Sequence, residues 1–247
     1  MTIHFWNGNK SKPRQDFERS LLQKILLTTS RSVDDTLLFD DCSDYPNADD
    51  EGNIFQTGVD ILVTVKGNQK FSGKPFIEIN RSLTKALLGQ RILFIRADDQ
   101  ARFRSIQSIK QLKVGIPETW VDAELFRHNG FNVVEKGNFD GLFTLLSDKS
   151  CDFVCFGANE ALDIYQQRVD DKKSIILLKD KMILYPFPLV FYVNANRPDL
   201  AKRVEHGLQV LERTGEFEAL YQEYFGDIEN ELALDKREAL PLHNPFI

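Results

Sequence analysis

Short apolar runs suited to strands alternate along this chain with longer stretches whose apolar residues recur every three or four positions. That alternation limits the possible folds more than any other feature. The runs are IHFW (residues 3–6), VDILVTV (59–65), RILFIR (91–96), KVGI (113–116), FNVV (131–134), CDFVCF (151–156), SIILL (174–178) and LVFYV (189–193). Helical spacing joins Phe17, Leu21, Leu22, Ile25 and Leu26, then Val121, Leu125 and Phe126, then Phe139, Leu142, Phe143, Leu145 and Leu146. Strands separated by amphipathic helices bury both faces of a sheet, which predicts an α/β class with mainly parallel sheets. Towards the end, PDLAKRVEHGLQVLERTG and EFEALYQEYFGD predict two successive helices, the second stopped at Gly226. The remaining tail, ELALDKREALPLHNPFI, is expected to be solvated at first and then extended over the surface.

With 247 residues, 42% of them hydrophobic, the chain can fill one large domain or two lobes. Lys and Arg number 31 against 37 Asp and Glu, for a net charge of -6, and no basic block with interleaved aromatics occurs, so nucleic acid is not an expected partner. No apolar run reaches the roughly 18 residues of a membrane span. The N-terminus MTIHFWNGNK lacks a secretory pattern, so the protein is either cytoplasmic or exported by a leader absent from this sequence.

Chemical motifs are few. Phosphate-binding glycine loops, the nucleophile elbow and the zinc helix signature are all missing, and no cofactor or metal is implied. His4, His128, His206 and His243 are scattered. Cys42, Cys151 and Cys155 have no metal spacing, and in a strand Cys151 and Cys155 would stand roughly 13 Å apart, too far to pair. Residues 40–53, DDCSDYPNADDEGN, read as a long acidic loop without the spacing of a calcium loop. In KVGIPETWVDAELFRHNGF, Thr119 and Asp122 are three apart, as in a capping box at a helix start.

Three segments resemble the extracytoplasmic solute-binding proteins of amino-acid-type ABC transporters, a divergent subgroup of the class II periplasmic-binding-protein-like fold. They are SIQSIKQLKVGIPETWVDAELFRHNGFNVVE, FDGLFTLLSDKSCDFVCFGANEALDIY and LERTGEFEALYQEYFGD. The resemblance spans residues 3–228 and is best from residue 88 onward. It implies two α/β lobes joined by two hinge strands, lobe 1 at 1–96 plus 190–247 and lobe 2 at 97–189. It also implies non-catalytic binding of a small solute in an interlobe cleft, periplasmic localisation, a monomer, and a membrane permease or a sensor as partner. Two alternatives stand beside it: a dehydratase-like enzyme using Glu118 or Glu160, and a scaffold that binds no ligand.

Laid onto this sequence, the family's ligand positions fall at Trp6 and Asn7, at Lys70 in the turn after VTV, at Glu118, Thr119 and Trp120, and at Gly157, Asn159 and Glu160. Trp6 either stacks on the ligand or belongs to the core. Trp120, in the first turn of a helix, leans towards the ligand. Asn159 is either a ligand contact or an N-cap, and Tyr185 either lines the site or packs beside it. The family's carboxylate-binding arginine is absent from VTVKGNQKF, and its ammonium-binding aspartate is replaced by Gly157 or Asn159. With Asp122 expected at the helix start, a neutral or cationic ligand is favoured over a simple carboxylate.

Overall fold

A computed structural model of the protein describes residues 1–30, 36–45 and 47–247. In chain order the first half runs β1 (Thr2–Trp6), α1 (Lys12–Thr28), β2 (Leu37–Asp41), α2 (Ala48–Gly52), β3 (Ile61–Val65), β4 (Phe76–Ile79), β5 (Gln90–Arg96) and α3 (Ile106–Lys110). Next come β6 (Lys113–Ile116), α4 (Asp122–His128), β7 (Asn132–Glu135), α5 (Leu142–Ser147), β8 (Phe153–Gly157) and α6 (Ala158–Arg168). The chain ends with β9 (Ile175–Leu177), β10 (Lys181–Leu184), β11 (Leu189–Asn194), α7 (Pro198–Thr214), α8 (Glu216–Phe225), α9 (Ile228–Glu231) and β12 (Glu238–Pro241). Two compact units result: unit 1 is residues 1–84 and 188–226, and unit 2 is residues 85–187 and 227–247.

Unit 1 is built on a sheet of order β2-β1-β3-β11-β4. The central strand β3, ILVTV, is buried at all five positions, whereas the edge strand β2 leaves Leu37 and Phe39 exposed. Helices α1 and α7 pack closely because Gly207 lies against α1: a Cβ there would come within 2.7 Å of Ile25 Cγ2 and 3.0 Å of the Ile25 carbonyl. Buried Phe17, Leu21, Leu22 and Ile25 form the inner face of α1, as their spacing predicted.

Unit 2 is built on a sheet of order β12-β10-β5-β8-β6-β7, with β9 paired to β5. β8, FVCFG, is buried at every position and lies between β5 and β6. On it Phe94, Phe139, Phe143 and Phe156 cluster, with Phe94 and Phe156 centroids 5.1 Å apart.

Several expectations change. Among the described residues the pairings divide into five parallel and five antiparallel, so the sheets are mixed rather than mainly parallel. The expected lobe boundaries also move. β5 was placed with lobe 1 but pairs with β8, β9 and β10, and the tail, also placed with lobe 1, returns to unit 2, where β12 pairs with β10. That tail is neither solvated nor merely draped. Leu232, Leu234, Leu240 and Leu242 are buried, and the Arg237 guanidinium donates to the Leu232, Leu178 and Lys181 carbonyls. The acidic stretch is not all loop, since it holds the end of β2 and the short helix α2; Pro46 within it lies outside the described residues.

Candidate functional site

In open α/β sheets, groups that meet a ligand come from the loops following the C-terminal ends of parallel strands. Each unit has such an edge, and the two differ in chemistry.

In unit 1, β1, β2 and β3 run parallel and end at Trp6, Asp41 and Val65. The following loops are tied together by side chains. Asn9, at φ 55°, a left-handed conformation asparagine tolerates, donates from Nδ2 to the Tyr45 carbonyl at 2.9 Å and accepts the Tyr45 amide at 2.8 Å. Glu51 accepts Lys70 Nζ at 2.7 Å, Asn9 Nδ2 at 3.1 Å and Asn68 Nδ2 at 3.2 Å. Deeper in, Glu18 accepts Lys10 Nζ at 2.6 Å and the Arg14 guanidinium at 3.0 and 3.1 Å. Lys10 also donates to the Val63 carbonyl. Burial pulls the Lys10 ammonium below its ordinary range, and Glu18 works against that fall.

Unit 1 therefore closes its own edge. Lys70 is held by Glu51 and is not a free cation. Trp6 is 2% exposed, donates from Nε1 to the Ser43 carbonyl at 2.9 Å and packs with Leu62, Phe71 and Tyr192 in the core of unit 1. Asn7 clasps the start of α1: Nδ2 donates to the Gln15 carbonyl, and Gln15 Nε2 donates back to the Asn7 carbonyl. Its Oδ1 is buried and, among the described residues, has no partner.

In unit 2, β6, β7 and β8 run parallel and end at Ile116, Glu135 and Gly157. β5 is antiparallel to β8, with Arg91 opposite Gly157, and β10 is antiparallel to β5, with Leu184 opposite Gln90. One edge thus gathers the Pro117–Trp120 loop, the start of α6, Arg91 and Tyr185.

The expected capping box is absent. Val121 is the N-cap of α4 and makes no side-chain cap bond among the described residues, while Asp122 turns inwards, 6% exposed, onto Arg91 and Tyr185. The Tyr185 hydroxyl accepts from Arg91 Nε at 2.5 Å and donates to Asp122 Oδ1 at 2.6 Å; Arg91 Nη2 pairs with the same carboxylate oxygen. A buried guanidinium needs this much compensation. Burial works to lower the Arg91 pKa, but its interactions with Tyr185, Cys155 and Glu160 outweigh that and the net shift is upward. Burial also raises the Tyr185 hydroxyl above its ordinary range, and Arg91 opposes it. Tyr185 is thus buried, with its hydroxyl spent on Arg91 and Asp122.

The part expected of Asp122 falls to Glu135, whose Oε1 accepts the Thr119 amide at 3.2 Å and whose Oε2 pairs with Arg127 at 2.6 Å. Thr119 sits at φ 71°, a costly conformation for a β-branched residue. Beside it Glu118 is exposed and Trp120 half-buried, the indole stacked on Phe139 at 6.3 Å. Gly157 has no room for a side chain: a Cβ would meet Asn159 Oδ1 at 2.5 Å and Leu88 Cα at 2.9 Å. Asn159 is 3% exposed and caps nothing; among the described residues neither Nδ2 nor Oδ1 has a hydrogen-bond partner. Glu160, in the same first turn, is 6% exposed.

Arg91 was missed, although an arginine inside the apolar run RILFIR is itself a signal, because a charge on a buried strand demands a partner. Lys10 and Glu18, eight residues apart, gave no comparable signal, since the second partner of Lys10, the Val63 carbonyl, is remote in sequence. Among the described residues, no group of three or more His, Cys, Asp or Glu could hold a metal ion, and no helix is long and apolar enough to cross a membrane.

No family model matches the chain, and no curated protein matches it. Solved structures do. An ancestral arginine-binding protein bound to arginine aligns over 91% of this chain and 98% of its own, at 15% identity and a TM-score of 0.66. An arginine transport periplasmic binding protein from Legionella pneumophila aligns over 91% and 99%, at 16% identity and 0.65. A histidine kinase sensor domain with similarity to periplasmic binding proteins aligns over 91% and 96%, at 14% identity and 0.68. At such identities the likeness establishes the fold: two-lobed, α/β and periplasmic-binding-protein-like.

Proposed function

We propose that the chain is a non-catalytic binder of a small solute, working in the periplasm as a monomer, which delivers the solute to a membrane permease or reports it to a sensor. The observation that carries this reading is the unit 2 edge, where a strained Thr119, a half-buried Trp120 and a buried Asn159 with no hydrogen-bond partner among the described residues come from loops after parallel strands. The fold's likeness to arginine-binding proteins and to a kinase sensor domain supports both the transport and the sensing variants. The same edge supports a neutral or cationic solute over a simple carboxylate, because Glu135 already occupies the Thr119 amide that such a carboxylate would take. Trp120, Glu118, Thr119, Gly157, Asn159 and Glu160 are the residues proposed to meet the solute. The dehydratase-like alternative would use Glu118, which is exposed, or Glu160, which is 6% exposed in the first turn of α6, and a Glu160→Gln variant assayed for turnover separates it from solute binding.

A thermal-shift panel of amino acids, polyamines, organic acids and sugars tests the reading. At a hundred times Kd, binding adds about 2.7 kcal/mol, which raises the melting temperature by several degrees at this size. Silence across the panel would refute it. The scaffold alternative is favoured by one observation, the unit 1 edge filled by its own ion pairs, and silence would leave that reading in place.

A further inference from the structure

We propose, building on the solute-binding reading, that the start of α6 in unit 2 recognises an uncharged carboxamide or lactam group through both amide atoms of Asn159. α6 is 11 residues long and its N-cap, Gly157, has no side chain to offer, so the first-turn amides gain no side-chain cap. Asn159 follows two positions later, 3% exposed, its donor Nδ2 and acceptor Oδ1 both without partners among the described residues. Its direction is fixed: Oδ1 lies 2.5 Å from where a Cβ on Gly157 would stand, so the side chain folds back over the helix start.

The chemical class follows from what is unfilled and what is already filled. A carboxylate carries only acceptors and would satisfy Nδ2 while facing Oδ1 with like charge; an ammonium carries only donors and leaves Nδ2 unmet. A carboxamide or lactam presents a donor beside an acceptor and meets both atoms at once. The charges at this edge point the same way. Arg91 is taken by Asp122 and Tyr185, so it is not offered to a carboxylate, and Asp122 is in turn not offered to an ammonium. Glu160, one residue on in the same turn, adds negative charge that opposes an anion. The two Asn159 amide atoms without partners among the described residues are neutral, and the group that completes both is neutral too.

Calorimetric titration of the full-length protein with nicotinamide, 2-pyrrolidone and uracil, alongside arginine and glutamate, tests this. The expected result is saturable binding of at least one amide or lactam probe, weakened tenfold or more by Asn159→Leu and by Asn159→Asp. Because either substitution could disturb folding, the side-chain amide resonance of Asn159 in the wild-type protein is followed as well and shifts with each probe that binds. Binding of arginine or glutamate with none by the amide probes overturns the inference and leaves the solute-binding reading intact. Amide binding that neither substitution weakens and that leaves the Asn159 resonance still also overturns it. If no probe binds, the inference fails, and the broad thermal-shift panel then decides separately whether solute binding fails with it.

Discussion

Asp122 is buried in unit 2 against the Arg91 guanidinium and the Tyr185 hydroxyl. Spacing alone placed it over the helix start as a cap, yet the buried guanidinium of Arg91 draws it inwards, because an unpaired charge in the core costs more than a lost cap. Asp122→Ala should destabilise the protein by about 3–5 kcal/mol, since it strands Arg91. Tyr185→Phe, which removes one hydroxyl and leaves the ion pair, should cost about 1–3 kcal/mol. Urea unfolding separates the two, and equal losses would contradict the ranking. The thiols are a second residue-scale case. Burial pushes Cys155 up to about 11 and Cys151 up to about 12, so at pH 8 both stay protonated and a thiol reagent should modify only the exposed Cys42 until the protein unfolds. Because the folded protein holds a Cys155 proton that the unfolded chain releases above pH 9, that site loses stability as pH climbs from about 9 to about 11. The stability gap between wild type and Cys155→Ala should accordingly narrow over that interval.

Elements with the plainest apolar pattern were legible, although β10, KMIL, was not among the strand candidates. All eight strand candidates became strands, and each of the main helical patterns became a helix. Those missed were decided by partners instead. β12, EALP, is charged at its start and ends in proline, and it exists because β10 offers it an edge. β4, FIEI, is held by β11, while β2 carries Leu37 and Phe39 outwards against any alternation rule for a buried face. α6 was hidden because its first turn, ANE, is polar at buried positions and so breaks the apolar pattern. Gly207 offers a sharp test of packing against propensity. In an isolated helix Gly207→Ala would gain about 1 kcal/mol, but here the new methyl meets Ile25 side chain and backbone. Net destabilisation by about 1–2 kcal/mol is expected from thermal unfolding, through strain where α7 meets α1. A stabilised variant would show that the two helices part at no cost.

At the scale of the whole molecule the α/β class was readable from alternation, and the periplasmic-binding-protein-like fold from three motif segments. The allotment of segments to units was not. Strand β5 reads the same in either sheet, and only pairing with β8, β9 and β10 assigns it to unit 2. Of the proposed ligand positions, Trp6 and Lys70 are spent on the fold of unit 1, which their sequence positions did not reveal, whereas Asn159, weighed evenly between cap and contact, is left with its amide unmatched among the described residues. The protein is proposed to bind a small solute through an uncharged amide group and to leave that solute unchanged. Native mass spectrometry of the purified protein, before and after incubation with the amide and lactam probes, tests this most directly. A one-to-one complex is expected, its ligand recovered with its mass unaltered and its occupancy lower in Asn159→Leu. Recovery of a chemically converted ligand, or a protein that stays bare in every incubation, would contradict it.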